Sequence, residues 1–261
     1  MQGGSVYMKD LIIDQGSYTG VNVLSNSGAS SNSEYLVIDG CDIRRLAKIF
    51  FSSASGVNYG VENIIIVDSK IGFGAKVTLF SVNSTVTDAK DYKRIVFRNN
   101  VVYSCSDGTN YAGGVFAFNS KTADEPNDQM VAEVYNNLFY NVATSSGLFK
   151  GYRFGEVKAS KNLLWAVDGS NAGGNSKLIA HSPDTKQSVI VGTAVTDNIA
   201  YGTLAPKDGN PCNWVTADSA VIGDMEPLTV LTEENNPIVS FDAATGSYVM
   251  APGYTSYGPQ L

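Results

Sequence analysis

The chain has 261 residues, enough for one large domain or two medium ones. An apolar share of 43% is ordinary for a globular protein, and a net charge of −7 with scattered Lys and Arg excludes the basic footprint of a nucleic-acid binder. No apolar run reaches the ~20 residues of a membrane helix, and the start, Met1-Gln-Gly-Gly-Ser-Val-Tyr-Met-Lys9, lacks a basic head followed by an apolar stretch, so an exported chain would take its targeting segment from a longer parent.

In chain order, short β-rich runs alternate with a turn and a second short run. The first is Asp10-Leu-Ile-Ile13, followed by a turn at Ser17-Tyr-Thr-Gly20 and an apolar Val21-Asn-Val-Leu24. Next come Tyr35-Leu-Val-Ile38, a turn at Asp42-Ile-Arg-Arg45, and Ile49-Phe-Phe51. The third set is Asn63-Ile-Ile-Ile-Val67, Lys70-Ile-Gly-Phe73 and Thr78-Leu-Phe80. From there the turn sharpens into an Asn, two apolar or small residues and an aromatic: Asn100-Val-Val-Tyr103, Asn137-Leu-Phe-Tyr140, Asn162-Leu-Leu-Trp165 and Asn198-Ile-Ala-Tyr201. Each copy has a strand-like run before it, at Arg94–Phe97, Val131–Val134, Glu156–Lys158 and Gly192–Val195. The first three are also followed by a third run, at Gly114–Phe118, Gly147–Phe149 and Lys177–Ile179.

Three strands per unit with no helical period between them predict an all-β right-handed parallel β-helix. The turn positions 17, 42, 70, 100, 137, 162 and 198 give about seven coils over residues 1–203. Stacking at ~4.8 Å puts like on like. The Asn at each turn is expected to take a left-handed conformation and to hydrogen-bond up and down a column. The apolar residues after each Asn, and the column Phe50, Phe80, Phe116 and Phe149 continued by Ile179, are expected to fill the interior. By the same alternation the aromatics Phe73, Tyr103, Tyr140, Trp165 and Tyr201 point inward, as packing rather than as a sugar-stacking platform. The tail 204–261 holds six of the eight prolines and reads as a C-terminal cap. The first run starts near Val6, which leaves no room for an N-terminal cap. A missing N-terminal domain or a partner is expected to cover that end.

The Asn-apolar-apolar-aromatic turns resemble the asparagine ladders of the pectate-lyase-like β-helix superfamily. The tail Asn236-Pro-Ile-Val-Ser-Phe-Asp-Ala-Ala-Thr-Gly-Ser-Tyr248 resembles the closing segment of β-helix domains in surface lipoproteins of gut Bacteroidetes. Those endings finish in G-D-P-R-W, where this chain has Tyr257-Gly-Pro-Gln-Leu261. The resemblance covers most of the chain in pattern and about a dozen residues in motif. It implies an exported protein at the cell surface or periplasm of a Gram-negative bacterium, with a polysaccharide as partner. It supplies no catalytic residue: nothing matches the Arg base and calcium carboxylates of pectate lyases, and His181, in Ala-His-Ser, does not match the Gly-His-Gly of polygalacturonases.

Candidate substrate-binding residues cluster by repeat register. Lys150, Tyr152, Arg153 and His181 fall on or just after the third strands of adjacent coils, with Asn119 one coil earlier. Such a groove suits an acidic glycan, and Lys or Arg as base with Tyr or His as acid is the chemistry of β-elimination; a solvated sheet face is the plainer expectation. Glu133 and Lys158 are expected to form a surface ion pair of little energetic weight. Asp124, Glu125 and Asp128 form an acidic loop in which calcium is conceivable but not indicated, since Pro126 interrupts it and the spacing is not an EF-hand. No cofactor is expected. Cys41, Cys105 and Cys212 show no zinc spacing and read as plain thiols. A non-catalytic polysaccharide binder, a polysaccharide lyase and an adhesive stalk are the functional readings, in that order.

Overall fold

The computed structural model describes residues 4–15, 24–25, 33–47, 50–53, 60–74, 79–82, 93–105, 115–118, 131–142, 148–151, 156–167, 179–181, 190–202, 221–226 and 228–260. The described chain is all-β. It visits three sheets in rotation, so that strands about one repeat apart in sequence pair in parallel. The first sheet has eight strands, from Val6–Lys9 to Val221–Met225. The second also has eight, from Ile12–Asp14 to Thr229–Leu231, and the third has six, from Leu24–Ser25 to Ile179–His181. Both long sheets therefore continue past residue 203. The first repeat is also placed differently from its sequence reading: Asp10 is a corner with φ of 52°, and the second-sheet strand Ile12–Asp14 comes directly after it.

The corner between the first and second sheets carries a left-handed residue at seven of its eight occurrences, Asp10, Gly40, Asp68, Asn99, Asn136, Lys161 and Asp197. It spans two residues in six of its eight occurrences and three at 196–198 and 226–228. The left-handed residue is not the ladder Asn but the residue before it: Asp68, Asn99, Asn136, Lys161 and Asp197 all have φ between 53° and 57°. That inversion turns the next side chain into the interior. Asn100, Asn137, Asn162 and Asn198 are at most 1% exposed. Their amides satisfy one another and the corner backbone. The Asn137 Nδ2 donates to Phe97 O at 2.9 Å and to Asn162 Oδ1 at 2.9 Å, while its Oδ1 accepts the Asn100 backbone N–H at 2.9 Å. Ser69 heads the column: its N–H donates to Asn100 Oδ1 and its Oγ accepts from the Cys41 N–H.

Strand alternation from a buried Asn reverses the expected facing of the second sheet. Val102, Phe139, Leu164 and Ala200 fill the central core. Val101, Leu138, Leu163 and Ile199, with Tyr103, Tyr140, Trp165 and Tyr201, lie on the outer face. Phe73 does not belong to this aromatic column. It pairs with Ser104 and is buried in the central core, while Gly72 pairs with Tyr103.

The outer apolar face is covered by the tail. A hairpin of Ile238–Asp242 and Ser247–Met250 lies along the side of the second sheet. The Phe241 ring stacks on Tyr140 at 3.7 Å and meets Tyr103 edge-on at 5.6 Å; Trp165 stacks on Tyr140 at 4.2 Å. Asn236 accepts from the Trp165 Nε1–H at 3.0 Å. At the tip, Gly246 has φ of 64°, and a Cβ there would stand 2.6 Å from the Tyr103 ring, so the close approach requires glycine.

Candidate functional site

The third sheet is positioned from within by phenylalanines. Phe51, Phe80, Phe116 and Phe149 pair in register and stack at 5.6, 4.8 and 5.4 Å. The column member is Phe51 rather than Phe50, although Phe50 is also fully buried. These rings fix the register of the rest of each strand. Lys150 pairs with Ala117 on one side and Ala180 on the other, and His181 pairs with Gly151.

The backbones of Lys150 and His181 are thus on neighbouring strands but one residue out of register, so they are not cross-strand partners. Asn119, Tyr152 and Arg153 lie outside the described residues, as do Asp124, Glu125, Asp128 and Cys212. Among the described residues, no group of three or more His, Cys, Asp or Glu side chains could hold a metal ion.

The connections show where variation is concentrated. The corner between the first and second sheets spans two or three residues, whereas the segments 83–93, 105–115, 119–130, 166–178 and 182–189 join third-sheet strands to the other two sheets, and the longest connection, 202–220, joins the second sheet to the first.

The outer face of the first sheet is made of paired charges. Arg94 bonds Glu133 at 2.7 Å, Lys93 bonds Glu62 at 2.6 Å, and Lys158 bonds Glu156 at 2.9 Å. Glu133 and Lys158 are cross-strand neighbours as expected, yet each takes a different partner. Glu133 pairs instead with Arg94 on the preceding strand and Lys158 with Glu156 on its own strand. Hydrogen bonding to Glu156 raises the Lys158 ammonium above its ordinary value. Cys41 is buried and Cys105 half-buried, both as free thiols; burial pushes the Cys105 thiol up and keeps it protonated near neutrality.

A clasp that the sequence reading missed joins the tail to the last Asn corners. The left-handed Lys161 pairs with Asp197, and its ammonium sits 4.7 Å from the Tyr257 ring centre. The Tyr257 hydroxyl donates to Asp197 Oδ1 at 2.5 Å, and the Gly258 N–H donates to Lys161 O at 2.9 Å. Burial alone would raise the Asp197 carboxyl, but hydrogen bonds from Lys161 and Tyr257 outweigh it and bring the group below the usual carboxylate range. Burial, then the bond to Asp197, pushes the Tyr257 phenol up to about 12. The only sequence signal for the clasp was Lys at a corner position that otherwise holds Asp, Asn or Gly.

No family model matches this chain, and comparison with curated proteins and with solved structures finds no match either.

Proposed function

We propose that this chain is a right-handed parallel β-helix, exported to a bacterial cell surface or periplasm, that binds polysaccharide without cleaving it. The helix reading is supported by the rotation of the chain through three parallel sheets and by the strong preference of parallel crossovers for the right hand. The tail acts as its cap by sealing the side of the second sheet. The observation that carries the function is that most of the long connections enter or leave third-sheet strands. Binding residues sit preferentially on such segments, held by a rigid scaffold. A stack that repeats every ~4.8 Å also offers a long face suited to a linear polymer.

On this reading Lys150 and His181, with Asn119, Tyr152 and Arg153, form the glycan-binding face. A glycan array of plant, host and microbial polysaccharides, followed by calorimetry, is expected to find a ligand whose affinity falls in Lys150→Ala. Silence across the array removes the reading. The adjacency of the Lys150 and His181 strands favours one second reading, a lyase acting on an acidic glycan. Unsaturated products detected by ultraviolet absorbance, and lost in a Lys150→Ala, His181→Ala double variant, would replace the first reading with this one.

A further inference from the structure

We infer that a recess between the hairpin tip and the second sheet binds a small carboxylate ligand with one apolar face, the size of a sugar acid or an aromatic acid. The recess is lined by Lys70, Gly246, Ser247, Tyr248, Met250 and Pro259, is open to solvent on one side and has a volume of about 340 Å³. That volume lies at the lower end of the range of small-molecule sites. The site lies on the second sheet and does not depend on the polysaccharide reading, which concerns the third.

Lys70 is the centre of the argument. It is half-buried on the outer face and joins none of the ion pairs among the described residues. Its ammonium makes only a long contact, 3.4 Å, to Ser247 Oγ. Two carboxylates are close, though among the described residues no hydrogen bond or ion pair joins either to Lys70: Asp42, whose Oδ1 is buried without a hydrogen-bond partner, and Asp242, which its Thr245 and Ala244 bonds, with the Lys70 charge adding to them, hold below the usual carboxylate range. Asp42, its cross-strand neighbour, receives two bonds from the Arg44 guanidinium on Oδ2. Asp242, at the hairpin tip, receives the Thr245 hydroxyl and the Ala244 N–H, each at 2.8 Å. Lys70 therefore keeps strong donors for a charged acceptor.

The rest of the wall sets the ligand's shape. Met250, Tyr248 and Pro259 provide an apolar side, and the Tyr248 hydroxyl is turned away into a 3.1 Å bond to Pro259 O. The glycine at 246 brings the tip in close enough to place Ser247 opposite Lys70. A ligand with a carboxylate on Lys70 and Ser247 and a hydrophobic ring face on Met250 satisfies both halves.

The test is a titration of the full chain, labelled at its methionine methyls, with benzoate, glucuronate and acetate. Met250→Leu assigns the Met250 signal. Benzoate or glucuronate is expected to shift that methyl saturably, and whichever does so identifies the source of the carboxylate. Acetate, without an apolar face, should be weaker by about tenfold or more. Lys70→Gln should lose the response and Lys70→Arg keep it. In the unaltered chain, added salt should weaken the response, a reading that holds even if Lys70→Gln folds poorly. An unmoved Met250 methyl with benzoate and glucuronate, or an unchanged titration in folded Lys70→Gln, overturns the inference. Neither result bears on glycan capture by the third sheet, which the array measures separately.

Discussion

The corner between the first and second sheets and the connections beside the third sheet are opposite designs in one chain. At the first, a left-handed residue followed by a buried Asn recurs with almost no change in length, and each amide is bonded to the next. Beside the third sheet, one strand leads to the next through segments as different as 152–155 and 119–130. The contrast separates two jobs. The ladder keeps the stack in register, and the third sheet's surroundings are free to change without disturbing it.

The largest expected effect tests the ladder. Asn137→Leu removes an acceptor from the Asn100 N–H and a donor from Phe97 O in a fully buried corner. Each orphaned group costs ~1–3 kcal/mol, so a loss of about 3 kcal/mol or more is expected in chemical denaturation. A loss under about 1 kcal/mol would mean that the corner is not the rigid element. Next is the seal on the second sheet. Phe241→Ala removes a ring stacked on Tyr140 and should cost about 2 kcal/mol, with proteolysis of the tail as the local readout. Gly246→Ala should cost about 1–2 kcal/mol, from a strained left-handed alanine pressed on the Tyr103 ring.

The clasp gives a pH dependence of either sign. Asp197 lies below its ordinary value of ~3.9, so its contribution is present above that pH and is lost as pH falls through the folded value. Tyr257 is raised, so its contribution is present below ~10 and is lost between there and about 12. Release of the tail at both extremes, followed by protease susceptibility, should persist in Lys150→Ala and weaken at the alkaline limb in Tyr257→Phe, where the buried Tyr248 phenol, also pushed up to about 12, still contributes. The smallest stability effect is expected at the third sheet. Lys150→Ala should stay within ~0.5 kcal/mol of the parent while weakening glycan capture, the outcome that would most sharpen the contrast.

Much of the parallel architecture was legible, because the Asn at four successive corners leaves a pattern that survives irregular spacing. The facing of the second sheet was not, for one reason: a polar Asn is expected to face out and the apolar residue after it to face in. The ladder reverses this, since an amide whose donors and acceptor are all met is as stable inside as an apolar group. The expectation that Tyr103, Tyr140 and Trp165 point inward fails at the same step. Their true cover, Phe241, is distant in sequence and shares no periodic signal with them. Asp10 reads as part of a strand because Leu11, Ile12 and Ile13 come after it, although it is the left-handed corner. At the candidate site, repeat register brings Lys150 and His181 to adjacent strands, but spacing alone does not reveal that His181 aligns with Gly151.

The hairpin's position also sets an order of events during synthesis. The strand Val101–Ser104 is made long before Phe241, and at typical rates of about 5–20 residues per second the interval is on the order of 10 s. For that time Val101, Leu138, Leu163 and Ile199 have no cover, and Tyr103 and Tyr140 lack the ring that later wedges between them. The nascent chain carries a sticky flank that the later hairpin 238–250 closes. A ribosome stalled before residue 241 should therefore hold a species that recruits chaperones, and completion of the tail should release them.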